Sequence, residues 1–218
     1  MKLTFFFLAP LLTVAGLCGC ATPLPAVPLS AVVPTKFDDV PADKAQLIFL
    51  VAADVPEPTS NIGLFDLDGE DRKLEGVFGA HTGSMFLVSP GHHFFMTYGR
   101  KAHLMEANVL RGGCYYVLLR SDGSGSLQAV PVRDTSGQTD PTQDEVTALL
   151  VDMDVRMHLV EKTPAADIWF ASQSQRVDAA QRTAFAEWQR RPSDQQRSLT
   201  LNKSDFGVRN QEVANSPD

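Results

Sequence analysis

From Lys44 to about Val132 the chain is cut at short intervals by turn-forming residues, and the apolar stretches between the cuts suit strands rather than helices. Gln46 to Ala52 (QLIFLVA) is almost continuously apolar, as a strand buried on both faces would be. Asn61 to Leu67 alternates, with Ile62, Leu64 and the aliphatic part of Asp66 on one face and Phe65 and Leu67 on the other. Asp68-Gly69 then signals a turn. Leu74 to Phe78 and Ser84 to Ser89 follow, and Pro90-Gly91 turns the chain because proline presets one corner and glycine accepts positive φ at the next. His92 to Tyr98 and Ala102 to Leu110 form a hairpin around Gly99-Arg100-Lys101, and Arg111-Gly112-Gly113 leads into Cys114 to Arg120. Asp122-Gly123-Ser124-Gly125 precedes a last strand, Ser126 to Val132. No helix interrupts this series. It predicts a mainly β chain, with an antiparallel β-sandwich (Ig-like or related) over residues 42–133.

The pattern changes near Asp134. Residues 134–144 (DTSGQTDPTQD) are polar and turn-rich, and Asp140-Pro141 with Gln143 predicts a short helix to about Leu150. Asp154 to Val160 alternates like an edge strand. Thr163-Pro164 predicts the start of a long helix, because proline is tolerated at the first helical position and Asp167 suits the positive end of the dipole. The helix runs to about Arg190, is stopped by Pro192, and carries Trp169, Gln173, Val177, Ala180, Ala184 and Trp188 as an apolar stripe. Ser193 and Gln196 could cap one further turn. Residues 134–205 are therefore expected to form a helical extension packed on the sandwich, and 206–218 a mobile tail. Docking is the expected use of the stripe, and a partner-facing surface carrying Trp169 and Trp188 is the alternative.

The first residues address the chain. Lys2 precedes an apolar run from Leu3 to Leu17 that is too short to span a bilayer and is interrupted by Pro10, as in a secretory signal. Its end, Leu17-Cys18-Gly19-Cys20, resembles the lipobox of bacterial lipoproteins. Leu17 takes the outer apolar position, Gly19 the small residue before the cut, and Cys20 the acylated position. The resemblance implies a signal peptide over 1–19 and a diacylglycerol-modified, acylated Cys20 that anchors the chain to a membrane without a spanning helix. Ala21 stands where an Asp would resemble an inner-membrane retention signal, so the implied location is the outer membrane of the cell envelope, facing the periplasm or the surface. Residues 20–41 are rich in proline and predict an extended tether without a core.

The net charge of −7 becomes −8 once Lys2 leaves with the signal, which argues against nucleic acid and against a basic patch for anionic lipid. Cys114 is the one cysteine left after Cys18 is removed and Cys20 acylated, so no internal disulfide is possible. With Tyr115, Tyr116 and Val117 beside it, Cys114 reads as a small buried residue rather than a reactive thiol.

Three stretches carry a second resemblance: Val40-Pro41-Ala42-Asp43-Lys44-Ala45 entering an apolar strand, Val88-Ser89-Pro90-Gly91-His92 closing another, and Gly113-Cys114-Tyr115-Tyr116-Val117. Together they are similar to a family of uncharacterised bacterial lipoproteins built on a small β-sandwich domain of unknown function, over residues 40 to about 120. Where that family often has Gly-Lys before the tyrosines, this chain has Gly112-Gly113-Cys114. The resemblance implies a fold and supplies no catalytic residues.

The chemistry-bearing residues give little else. His92 and His93 are adjacent on a strand and point to opposite faces, so one regular strand cannot aim both at one metal ion. His103 lies at the other end of the hairpin from His92, and His81 sits in a glycine-flanked loop. No His-Glu-x-x-His, paired-cysteine or calcium-loop pattern occurs. Gly83-Ser84-Met85 and Gly123-Ser124-Gly125-Ser126 do not fit Gly-x-Ser-x-Gly, and Gly69, Gly76, Gly79 and Gly83 read as turn glycines. Asp66 and Asp68 share a strand face before a turn, where solvation is the ordinary explanation. Phe94, Phe95, Tyr98, Tyr115 and Tyr116 read as core, with a ligand groove as the alternative. No catalytic residue, metal ligand or cofactor is expected, and Cys20 is the one site residue. The function expected is that of an envelope lipoprotein acting as a binding or structural component, with an envelope protein or glycan as a possible partner. An envelope-associated hydrolase and a glycan- or small-ligand-binding module are the rival readings.

Overall fold

A computed structural model describes residues 28–33, 40–52, 55, 61–68, 72–133 and 158–205. The leader, Cys20, the expected helix at 141–150 and the tail lie outside the described residues. The chain is mainly β, with two mixed sheets and a C-terminal helix. The strands are β1 (Ser30–Val32), β2 (Ala45–Val51), β3 (Ile62–Asp66), β4 (Lys73–Phe78), β5 (Thr82–Val88) and β6 (Gly91–Tyr98). They continue as β7 (Ala102–Val109), β8 (Cys114–Ser121), β9 (Leu127–Pro131), β10 (His158–Lys162) and β11 (Thr200–Leu201). The helices are α1 (Pro164–Arg190) and α2 (Ser193–Ser198).

One sheet has the order β1-β10-β5-β2-β8-β9 and the other β11-β7-β6-β3-β4. The tight turns do make hairpins: β3–β4, β6–β7 and β8–β9 are antiparallel. The expectation of purely antiparallel sheets is corrected at three pairings, because β2–β8, β10–β5 and β11–β7 are parallel. Parallel neighbours need a long connection. Between β2 and β8 the chain supplies one, since β3, β4, β6 and β7 are laid down in the other sheet before β8 returns beside β2.

The near-continuous apolar run makes β2 a central strand, and all seven of its residues are buried. Leu47, Phe49 and Val51 join a core cluster that takes side chains from both sheets, including Ile62, Leu64, Phe95, Met105, Tyr115 and Val117. Ile48 and Leu50 point the other way, into a cluster with Tyr116, Leu118 and Leu159. Gly76 and Gly83 lie inside strands, not in turns as the sequence suggested. At Gly83 the reason is close approach, because a Cβ there would stand 2.8 Å from Leu50 Cδ2 and 3.0 Å from the Phe49 carbonyl oxygen.

Two boundaries shift. The coreless tether expected over 20–41 gives way at Ser30–Val32 to β1, which pairs antiparallel with β10. β10 is not an edge strand, since β1 and β5 flank it. Residues 158–205 are thus more than a helical extension: β10 and β11 each join a sheet. The pairing of a three-residue strand depends on what lies beside it in space, which no local pattern records.

Pro164 opens α1 as expected, but the Thr163 hydroxyl donates to the Pro28 carbonyl oxygen (2.7 Å) instead of capping the helix. Ala166, Val177, Ala184 and Trp188 are buried and cluster with Phe65, Leu74, Met96 and Leu104 of the five-stranded sheet. Trp188 meets the Phe94 ring edge-on at 5.8 Å. Phe170 and Phe185, which the predicted stripe omitted, meet Phe65 at a tilt and Phe94 edge-on. Trp169 is half-buried and outside that cluster. At 3.6 residues per turn it lies about 80° around the helix from Val177. Arg72 reaches from the sheet to Gln181 and Asp178 of α1, its guanidinium 5.1 Å from the Phe170 ring centre.

Candidate functional site

The end of β3 brings together residues that the sequence separates. β3 and β6 are antiparallel, with Asp66 opposite Phe95. The same register continues past the strand end, where the Leu67 N–H donates to the Phe94 carbonyl oxygen at 2.9 Å. Asp68 therefore stands across from His93, and Asp66 is its diagonal neighbour on the same face. The Asp68 N–H donates to Asp66 Oδ1 (2.9 Å) and the Phe94 N–H to Asp68 Oδ1 (3.3 Å), which ties both carboxylates to the two strands. One donor atom each from Asp66, Asp68 and His93 lies within 4.8 Å of the others.

Burial differs across the group. His93 is 6% exposed, its ring stacked on Phe95 at 5.8 Å. Asp66 is half-buried and Asp68 is exposed. Burial pushes the Asp66 carboxyl above the ordinary carboxylate range; the Asp68 and Glu75 charges add to this, against the opposing Asp68 N–H and His93. His93 Nε2 lies 2.7 Å from the Ser89 carbonyl oxygen. A carbonyl only accepts, so Nε2 carries a hydrogen and donates it. Nδ1 is turned toward Asp68 Oδ2, with which it forms an ion pair when the ring is protonated; in the neutral ring it has no hydrogen-bond partner.

The other histidines have different settings. His92, itself exposed, meets Glu106 Oε1 through Nε2 at 2.7 Å on the hairpin face that carries α1, and the Thr200 hydroxyl donates to Glu106 Oε2 (3.1 Å). His92 and His93 point apart, as adjacent strand residues must. His103, also buried, pairs through Nε2 with Asp122 Oδ2 at 2.8 Å. Asp122 further accepts from the Ser124 N–H (2.8 Å), the Ser124 hydroxyl (2.6 Å) and the Ser126 N–H (3.2 Å). Burial by itself would raise the Asp122 carboxyl, but these donors together hold it well below the usual carboxylate range. His81 has a left-handed backbone (φ 55°) in the β4–β5 turn, and its carbonyl oxygen accepts from the His158 N–H (3.0 Å).

Tyr115, Tyr116 and Phe95 are buried, while Phe94 and Tyr98 are half-buried beside α1. The Tyr115 hydroxyl accepts from the Leu110 N–H (2.9 Å) and donates to the Lys203 carbonyl oxygen (3.3 Å), and burial pushes its phenol up. Cys114 is buried and in no disulfide, and its thiol donates to Gln46 Oε1 at 3.4 Å. A shallow depression lined by Glu187, Arg190, Arg191 and Gln195 lies at the C-terminal end of α1. Of the sequence candidates, the structure thus joins Asp66 and Asp68 to His93 and leaves His92 and His103 with carboxylates of their own. The strand parity of Asp66 and Asp68 was visible beforehand; their partner was not.

No protein-family model matches the chain, and no curated protein is found similar to it.

Proposed function

We propose that this chain is a bacterial envelope lipoprotein, held at the outer membrane by lipid on Cys20, whose β domain acts as a binding or structural component rather than as an enzyme. The observation that carries the reading is the leader over 1–19 ending Leu17-Cys18-Gly19-Cys20. In the same reading the domain is a β-sandwich, Ig-like or related, with α1 docked on one sheet. A core cluster drawing on both sheets supports this, as does the packing of Trp188 and Phe170 on the five-stranded sheet. The first strand begins ten residues after Cys20, a contour of at most about 35 Å, so the domain works close to the bilayer surface. Burial of Tyr115, Tyr116 and Phe95 commits those rings to the core and disfavours a glycan groove built from them. Among the described residues no helix is long and apolar enough to cross a membrane.

Metabolic labelling with a clickable fatty acid tests the anchor. Wild type is expected to take up label, and Cys20→Ser to lose it and accumulate as unprocessed precursor, because the modification needs the thiol. Equal label in both would overturn the assignment and point to Cys18.

A further inference from the structure

We propose that Asp66, Asp68 and His93 bind a divalent transition-metal ion of the zinc class at the rim of the five-stranded sheet. The argument begins with the imidazole. Donation of the Nε2 hydrogen to the Ser89 carbonyl fixes the tautomer of the neutral ring, so Nδ1 presents a lone pair. That lone pair faces Asp68 Oδ2, itself a pure acceptor when ionised, and the Asp66 carboxylate lies alongside. In that neutral form three electron-pair donors converge on one point with no hydrogen between Nδ1 and the carboxylates. Such an arrangement is stable only with a cation at its centre, either a proton on Nδ1 or a metal ion.

Two features favour the metal. A ligating histidine usually donates its other ring N–H to a backbone carbonyl or carboxylate, which holds the ring in place and strengthens it as a ligand, and the Ser89 contact does this. The donor set, one imidazole and two carboxylates, suits zinc and neighbouring first-row ions rather than calcium or magnesium, which take oxygen ligands. Tetrahedral zinc with bonds of about 2.0–2.2 Å holds its ligand atoms about 3.4 Å apart. The present spread of up to 4.8 Å would have to close on that around an ion, and the tight Nδ1–Oδ2 contact to open to it. Asp68 is exposed while His93 is buried, so the ion enters from the solvent side and keeps a water there as its fourth ligand. The ion would join the end of β3 to β6 beyond their last ladder bond. The site does not depend on the lipid anchor, so the two proposals fail separately.

The test uses the full chain in detergent, stripped with chelator and titrated with Zn²⁺ and with Co²⁺ as a spectroscopic probe. Calorimetry is expected to give one Zn²⁺ per chain, and Co²⁺ to show the intense visible bands of a four- or five-coordinate site. His93→Gln and Asp68→Asn are each expected to weaken binding at least tenfold, whereas His92→Gln, on the opposite face, leaves it unchanged. Asp68 is exposed, so its variant keeps the fold, and far-UV circular dichroism checks this. Imidazole ¹⁵N shifts provide the second measurement: on Zn²⁺ addition the His93 Nδ1 signal is expected to move to the metal-bound range. The proposal is overturned if Zn²⁺ does not bind stoichiometrically, if folded Asp68→Asn binds as wild type does, or if His93 Nδ1 keeps a proton in saturating Zn²⁺.

Discussion

Two buried histidines each face an aspartate near a turn, and the two corners are finished in opposite ways. At His103 the partner carboxylate belongs to the β8–β9 turn, which also points the Ser124 and Ser126 N–H groups and the Ser124 hydroxyl at it. Every strong acceptor position on Asp122 is used, and the Lys101 N–H donates to the Ser126 hydroxyl (2.7 Å), so the turn is fastened to the β6–β7 hairpin. At His93 the aspartates receive two backbone N–H donors, one from Asp68 itself and one from Phe94 of β6, and the imidazole nitrogen facing them can pair with Asp68 only when protonated. The same pair of residue types is therefore a structural fastening in one place and, in the other, a cluster of acceptors that needs a proton or a metal ion at its centre. The count of donors around the carboxylate separates the two cases, more than burial or distance does.

The largest expected effect tests the closed corner. Asp122→Ala removes a largely buried, multiply bonded carboxylate and leaves the His103 and Ser124 donors without it, so a loss of about 2 kcal/mol in denaturant unfolding is expected. Asp68→Ala, measured in chelator, should cost under about 1 kcal/mol, because the ion pair of a largely exposed carboxylate with a protonated His93 is screened by solvent. Equal losses would break the contrast between the corners. Acid should then erase the difference between wild type and Asp122→Ala. The folded Asp122 carboxyl titrates below its unfolded value, near 3.9, so its contribution is complete above that value and declines as pH falls further. Denaturation midpoints are thus expected to differ fully at pH 6 and to converge below about pH 4. A constant gap would show that packing, and not ionisation, holds the turn.

The smallest effect sharpens the open corner. Because the folded Asp66 carboxyl is raised, its protonated form is favoured by folding, and the associated stability is lost as pH rises through the folded value. At neutral pH in chelator, Asp66→Asn is therefore expected to leave stability unchanged or raise it by up to about 1 kcal/mol, since the amide oxygen can still accept from the Asp68 N–H. In saturating Zn²⁺ the sign should reverse, wild type gaining stability that the variant does not. A destabilised variant in chelator would mean that Asp66 is held as a satisfied ion.

Much of the fold was legible because its signals are local. Gln46 to Ala52 read as a buried central strand and β2 is one, and Pro90-Gly91, Gly99-Arg100-Lys101 and Asp122-Gly123 separate strands where expected. Thr163-Pro164 opened a helix that Pro192 closed. Pairing between distant segments was not legible. Nothing near Ser30 records that β10 lies beside it, and nothing in β2 records that its second neighbour is β8, more than sixty residues on and parallel. The helix stripe was readable in outline, while the choice of Phe170 over Trp169 depended on how α1 is rotated against Phe65. The proposal for Cys20 rests on the leader alone, because a processing signal is read as a short extended sequence and leaves no mark on the fold.

The sequence by itself determined the strand rhythm, the limits of the long helix and the placing of Asp66 and Asp68 on one strand face, since each follows from periodicity or from chemistry within a few residues. Only the tertiary structure decided which strands are neighbours, in what direction and in which register. That register sets Asp68 across from His93 and turns the ring nitrogen toward both carboxylates. The physical reason is that an antiparallel ladder fixes partners to within one residue, and a shift of one would turn His93 to the opposite face of the sheet.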